Sequence, residues 1–278
     1  MTKIALCLSG KIGNTQGKSG YFKSDVRVLE KSYEHYKKHI IDVNDQVDVF
    51  VHCWDEEFSE EIELLYNPKS SKYEKQIQFK IPNYVKGEQA RKNNHYSRWY
   101  GNHMVNQLRS QYEKENNFKY DFVMTSRFDL SFEKNIIFSQ YDSNFFYAGN
   151  WSALYNFQGH DLFKGGRGPL YDIVNKNPEL VSKLKYGLKG YPHADDGFLD
   201  LWFFANSKNS DKFFELYNCL DEYTKPGHCP LDNARTISNH QLSRYHLEKI
   251  GLIDKLRFTL HMYDDFPLTR RKYFDCKK

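Results

Sequence analysis

Apolar β-rich runs alternate with stretches of helical period through the first half of this chain, and that alternation constrains the fold more than any single motif. Lys3–Ser9 (KIALCLS) reads as a strand that ends in the Ser9-Gly10 turn. Asp25–Ile41 carries Val26, Leu29, Tyr33, Tyr36 and Ile40 at a spacing near 3.6, with Ser24 or Asp25 as N-cap, and reads as a helix. Gln46–Cys53 (QVDVFVHC) is a buried strand, Glu57–Leu65 a short acidic helix and Gln76–Ile81 a third strand closed by Pro82. His95–Glu115 gives the longest helical pattern, with Trp99, Met104, Val105, Leu108 and Tyr112 on one side, and Tyr120–Thr125 gives the next strand. Strands and helices in this order predict an α/β fold, a mostly parallel central sheet flanked by helices with right-handed crossovers.

The second half continues less regularly. Asn144–Ala148 and Leu199–Ala205 read as strands, and the glycines between 156 and 170 mark a loop. Helices are expected over 178–186, Ser210–Tyr223 and Ser238–Ile250, the last capped by Ser238 or Asn239 and ended by Gly251, with a Pro/Gly loop over 225–232. Lys255–Met262 is a final strand ahead of a basic tail. With 278 residues, 40% hydrophobic and 27% charged, the chain fits a single domain, 1–278.

Composition excludes several classes. No apolar run approaches the ~18 residues that span a bilayer, and the start MTKIALCLSGKIG is expected to be a first strand, with no small-residue cleavage site of a signal peptide. The five cysteines (Cys7, Cys53, Cys219, Cys229, Cys276) are scattered with no C-x-x-C, so neither a zinc ribbon nor a disulfide framework is indicated and a reducing, cytoplasmic setting is expected. A net charge of +4 suits an anionic small substrate and is too small an excess to argue for nucleic acid. Aromatic residues reach 17%, which supplies core volume and rings free to stack on flat ligands or sugar faces.

In parallel sheets ligands bind beyond the carboxyl ends of the strands, at the point where strand order reverses. Those ends are Ser9-Gly10-Lys11, His52-Trp54-Asp55, Ser126-Arg127-Asp129 and Asn206-Ser207. In Y-D-F-V-M-T-S-R-F-D-L (120–130) an apolar strand ends in Arg127 and Asp129, whose side chains point the same way if the segment is extended. Asp129 is a candidate ligand of a hard divalent cation, and Arg127 can pair a phosphate oxygen; the alternative is a structural ion pair. In S-G-K-I-G-N-T-Q-G-K-S-G (9–20) the glycines admit close backbone approach, and Lys11 and Lys18 add charge. It is not a P-loop, since Gly10 lies too far upstream of Gly17-Lys18-Ser19, and a plain surface loop is the alternative.

In V-D-V-F-V-H-C-W-D (47–55), Trp54 can stack and Asp55 can accept from a base or ribose; a core tryptophan and a satisfied core histidine are the alternative. In H-A-D-D-G-F-L-D-L-W-F-F-A-N (193–206), Asp200 lies between Leu199 and Leu201, where an apolar setting is expected to raise its pKa and make it a usable general base. Asp195 and Asp196 are further candidates, or members of a solvated turn. His240 and His246 are six apart and share no helix face, whereas His261 at the end of the last strand could complete a metal shell.

The order of these motifs resembles bacterial, phage and large-virus glycosyltransferases of the GT-A type, the kind encoded in surface-polysaccharide clusters. The matching pieces are I-A-L-C-L-S-G (4–10), V-D-V-F-V-H-C-W (47–54), N-H-Y-S-R-W-Y-G-N-H-M-V-N-Q-L (94–108), the 120–130 stretch, D-L-W-F-F-A-N-S (200–207) and S-N-H-Q-L-S-R-Y-H-L (238–247). The resemblance implies a single GT-A-like, Rossmann-like domain, with 1–130 binding a nucleotide sugar (a UDP- or GDP-sugar) and 131–278 binding a glycan or glycoconjugate acceptor. It implies Ser9, Gly10 and Lys11 at the nucleotide, Ser97 facing the donor sugar or the motif loop, and an acceptor-side carboxylate in the Asp195–Asp200 region. It also implies Mn²⁺ or Mg²⁺ bound through a D-x-D motif, of which only Asp129 is present, because Arg127 replaces the first acid and can itself neutralise phosphate. For a virus-encoded member the site of action would be the host cytoplasm. Trp54, Asp55, Ser126 and Arg127 complete the expected donor set, and Asp129 and His261 the metal set. Rival readings are a non-catalytic sugar- or nucleotide-sugar-binding protein, and a metal-dependent nucleotidyltransferase or phosphohydrolase, which ordinarily converges several acids on two metals.

Overall fold

Side-chain alternation along the first strand assigns each residue to one of two helical layers. β1 (Lys3–Gly10) pairs in parallel with β2 (Gln46–Cys53) on one side and β4 (Phe122–Ser126) on the other. Ile4, Leu6 and Leu8 join Leu29 and Tyr36 of α1 (Val26–Tyr36) and Ile62 of α2 (Ser59–Tyr66) in one core cluster. Ala5 and Cys7 join Phe50 and Val105 in another, on the face covered by α3 (Gln89–Glu115). Burial on both faces is what a continuous apolar strand with little polar alternation encodes. The computed structural model describes residues 1–16, 23–150, 199–228, 238–261 and 265–274.

Seven strands form one sheet in the order β3-β2-β1-β4-β6-β5-β7. β3 (Ser70–Tyr73) runs parallel to β2. β6 (Trp202–Ala205) is antiparallel to both β4 and β5 (Phe146–Asn150), and β7 (Leu256–His261) is parallel to β5. The sheet is therefore mostly parallel, helix-flanked and compatible with a Rossmann-like fold. The chain enters β4 from the edge strand β3 by crossing back over β2 and β1 on α3, so the order reverses between β1 and β4. The helices α4 (Ser207–Phe214), α5 (Leu216–Tyr223), α6 (Asn239–Lys249) and α7 (Thr269–Tyr273) follow. Among the described residues no helix is long and apolar enough to cross a membrane.

Several boundaries differ from expectation. The third strand is Ser70–Tyr73, not Gln76–Ile81. Asn67, at φ 43°, ends α2 in the left-handed cap conformation, and Lys69 N–H donates to the Val49 carbonyl at 2.8 Å, which starts the pairing early. The 76–81 segment is instead strapped to α3 by Asn93, whose side chain accepts from Phe79 N–H at 2.9 Å and donates to the Ile77 carbonyl at 3.3 Å. α3 begins at Gln89, earlier than its apolar stripe, and the helix expected over Ser210–Tyr223 is two helices, α4 and α5. The 156–170 loop, the helix over 178–186, Gly17, Lys18, Ser19, Asp195, Asp196, Cys229 and Cys276 lie outside the described residues, as does the His261 side chain.

Candidate functional site

The carboxyl ends of β1, β2 and β4, the segment after β3 and the start of the antiparallel β6 all open at one end of the sheet. There they enclose a cleft of about 310 Å³ lined by Ser9, Gly10, Lys11, Trp54, Arg98, Arg127, Asp129 and Asp200 among others. This is the place where the reversal of strand order leaves a crevice.

Arg127 and Asp129 follow β4 and do point the same way. The guanidinium grips the carboxylate bidentately, Nε to Oδ1 and Nη2 to Oδ2, both at 2.7 Å. Asp129 is 1% exposed, whereas the Arg127 side chain keeps 27% of its surface towards the cleft. Burial works against the charge on Arg127, and the neighbouring Asp129 outweighs it, so the arginine pKa is raised. Gly13 explains the packing on the other side: at φ +94°, a Cβ placed there would lie 3.1 Å from Asp129 Cβ and 3.5 Å from its Oδ2.

Ser9 continues the odd-numbered face of β1 and so meets α3, donating to Asn102 Oδ1 at 2.7 Å. Arg98, one turn earlier on α3, reaches across the cleft floor. Its Nη1 donates to Ser9 Oγ at 3.3 Å, and its Nη2 to the carbonyls of Asp200 (2.6 Å) and Leu201 (3.1 Å). Its Nε is buried with no hydrogen-bond partner among the described residues. Burial lowers the Arg98 pKa to about 10, with Asp200 opposing that shift and Arg127 adding to it, so the residue still carries full charge at neutral pH. Ser97 lines the cleft and accepts from Gln76 Nε2 at 3.1 Å. Trp54 is 4% exposed and stacks on Tyr100, ring centroids 5.3 Å apart.

Asp200 stands in the cleft, but its expected high pKa is reversed. Burial would raise it; the nearby His240 and Arg98 charges and a 2.9 Å hydrogen bond from Asn239 outweigh burial and lower it to about 2. A carboxylate that holds its proton so weakly is a poor general base. The flanking leucines predicted an apolar setting; the facing helices supplied cations instead.

Two further expectations are corrected. Ser126 is fully buried on the even-numbered face of β4, which looks at α1, and its hydroxyl pairs with Tyr36 Oη at 2.6 Å. Asp55 points away from the cleft: it accepts from Ile12 N–H at 2.8 Å and from Ser24 Oγ at 2.6 Å, tying down the loop after β1. Burial raises its pKa against those bonds. His52 is a core residue held by Glu74 at 2.8 Å, with burial depressing its pKa.

The divalent cation implied by the resemblance does not fit these residues. Both Asp129 oxygens are committed to Arg127, Asp200 is committed to Asn239 and His240, and no group of three His, Cys, Asp or Glu converges among the described residues. A hard cation at such a site needs only one or two carboxylates beside substrate phosphates and waters, so the misfit rests on Asp129, whose two oxygens are already taken by Arg127.

Sequence reasoning missed Arg91, His95, Arg98 and Asn239, all of which line the cleft. The signal was present: Arg91, Asn94 or His95, Arg98, Asn102, Asn106 and Arg109 recur every three to four residues, a polar stripe on a helix with many buried positions. Among known proteins, the chain matches no family model and no curated sequence.

Proposed function

We propose that the protein is a GT-A-type glycosyltransferase that moves a sugar from a nucleoside-diphosphate sugar to a hydroxyl of a glycan acceptor. The observation that carries this reading is the composition of the switch-point cleft. Four cationic side chains (Lys11, Arg91, Arg98, Arg127) stand against two carboxylates (Asp129, Asp200) in its lining, and the edge of Trp54, packed on Tyr100, forms part of one wall. In the reaction the acceptor oxygen attacks the anomeric carbon, the bond from that carbon to the diphosphate oxygen breaks, and its electron pair leaves with the nucleoside diphosphate. The growing charge is met by preorganised guanidinium groups in a partly dry site, where such donors act most strongly. Asp200, ionised across the neutral range, accepts a hydrogen bond from a sugar hydroxyl. In an inverting transfer the proton lost by the acceptor hydroxyl passes to a carboxylate, for which Asp195 or Asp196 is the candidate from the sequence.

A thermal-shift panel of nucleotide sugars, paired with an assay for released nucleoside diphosphate, tests this. The expected outcome is selective stabilisation by one sugar nucleotide and acceptor-dependent product release. A stabilisation of about 2 kcal/mol needs free ligand at roughly 30-fold its dissociation constant. A flat response across the panel sinks the reading.

A further inference from the structure

We propose that the cleft holds the diphosphate of a nucleoside diphosphate directly on Arg98, Arg127 and Lys11, with no divalent cation between protein and phosphate. The proposal rests on the donor reading above and specifies how its anion is bound.

The carboxylate that would carry a cation is already closed. Asp129 is gripped through both oxygens by Arg127, and Gly13 packs against it at the Oδ2 side. A cation there would have to displace a bidentate guanidinium from a buried acid. Arg127 keeps part of its surface open to the cleft, so one face of the guanidinium binds the acid and the rest is presented to a ligand.

Arg98 is the stronger sign. Among the described residues its hydrogen-bond acceptors are a hydroxyl and two carbonyls, all uncharged, and its Nε has no hydrogen-bond partner there. A guanidinium held rigidly by neutral acceptors, facing a cleft and not closed by a carboxylate, is preorganised for an incoming anion. Asp200 does not fill that role, because it touches Arg98 through its backbone carbonyl while its carboxylate turns to Asn239 and His240. Lys11, at the end of β1, is half-buried and forms no ion pair among the described residues. Burial lowers the Arg98 pKa to about 10, as it must for a charge waiting for its counter-ion.

Isothermal titration of UDP, GDP and inorganic pyrophosphate, each with EDTA and with Mn²⁺, tests the proposal. A nucleoside diphosphate is expected to bind in EDTA, with affinity changing less than about threefold when Mn²⁺ is supplied. Arg98→Gln is expected to lose at least about tenfold in affinity, ~1.4 kcal/mol, and Arg98→Lys to keep part of it. Lys11→Gln, at a partly exposed side chain that forms no ion pair among the described residues, gives a second reading that tests the anion site without touching the core, with an expected loss of about threefold or more. Asp129→Asn retains binding in EDTA, because it leaves Arg127 charged. Binding that appears only with Mn²⁺ and vanishes in Asp129→Asn overturns the proposal while leaving the glycosyltransferase reading intact. Pyrophosphate bound in EDTA with no nucleoside diphosphate recognised overturns both the proposal and the glycosyltransferase reading and leaves a site for a free anion. Silence from all three probes under both conditions overturns both.

Discussion

Arg127 and Asp129 show how two residues can be tied energetically as well as functionally. Asp129 has almost no contact with water, so removing its partner leaves a buried charge without compensation. Arg127→Met is expected to cost about 2–3 kcal/mol in a urea titration, at the low end for a broken buried pair because Arg127 is itself partly exposed. The double variant Arg127→Met/Asp129→Leu is expected to recover most of that loss, since it removes the stranded charge as well. A single variant as stable as the parent would show that the pair contributes nothing to the fold. Asp200 gives a second residue-level test. Its folded pKa, about 2, lies below that of an ordinary aspartate, so its stabilisation is fully present above about pH 4 and is lost as pH falls through about 2. Asp200→Asn is expected to cost about 2 kcal/mol at neutral pH and to flatten the stability curve between about pH 4 and 2. An acid limb identical to the parent's would contradict the ion pairing drawn for this carboxylate.

Elements are held in place by contacts that no local pattern announces. Gly149 in β5 is an example: a Cβ added there would lie 2.5 Å from Phe266 Cζ, and Phe266 is fully buried. Neither the rigid ring nor the paired strand can yield, so Gly149→Ala is expected to destabilise by about 2 kcal/mol, measured by chemical denaturation. Adding Phe266→Leu to that variant is expected to restore part of the loss. The strands β1, β2 and β4 were legible because both faces of each are buried, which writes an unbroken apolar run into the sequence. β3 was not legible: Ser70–Tyr73 (SSKY) is a half-buried edge strand, and its position follows from the turn at Asn67 and the pairing with β2. Ser126 was misplaced for a related reason. Proximity to the strand end suggested the cleft, while the period of two sends it to the α1 face along with Phe122 and Met124.

At the scale of the whole molecule the cleft was legible as a location and much less so as a set of charges. An α/β alternation fixes where a crevice forms, so Ser9, Lys11, Trp54, Arg127 and Asp129 were found from the strand ends, whereas Asp200 came from its carboxylate-rich motif and Ser97 from the resemblance. Their electrostatics depend on what α3 and α6 bring from far along the chain, which is why Arg98 was passed over and the Asp200 pKa was read with the wrong sign. The same packing sets the response of the entire fold to acid. His95 on α3 and His246 on α6 are both pushed down to about 4 by burial, and His52 in β2 is lowered for the same reason. Once unfolded, these side chains titrate near 6.5. Between about pH 6.5 and 4 the unfolded chain therefore binds more protons than the folded one, and stability must rise with pH across that window. Each such histidine contributes a slope of up to about 1.4 kcal/mol per pH unit, so His95 and His246 together give about 3. Urea midpoints are expected to fall steadily from pH 7 to pH 4.5, well before any carboxylate of low pKa is protonated. His246→Gln should remove about one histidine's share of that slope while leaving the cleft untouched, because His246 is held by Tyr223 and the Lys212 carbonyl, away from the cleft. A stability profile level between pH 7 and 5 would mean that these rings take up protons in the folded protein, which the burial described for them does not allow.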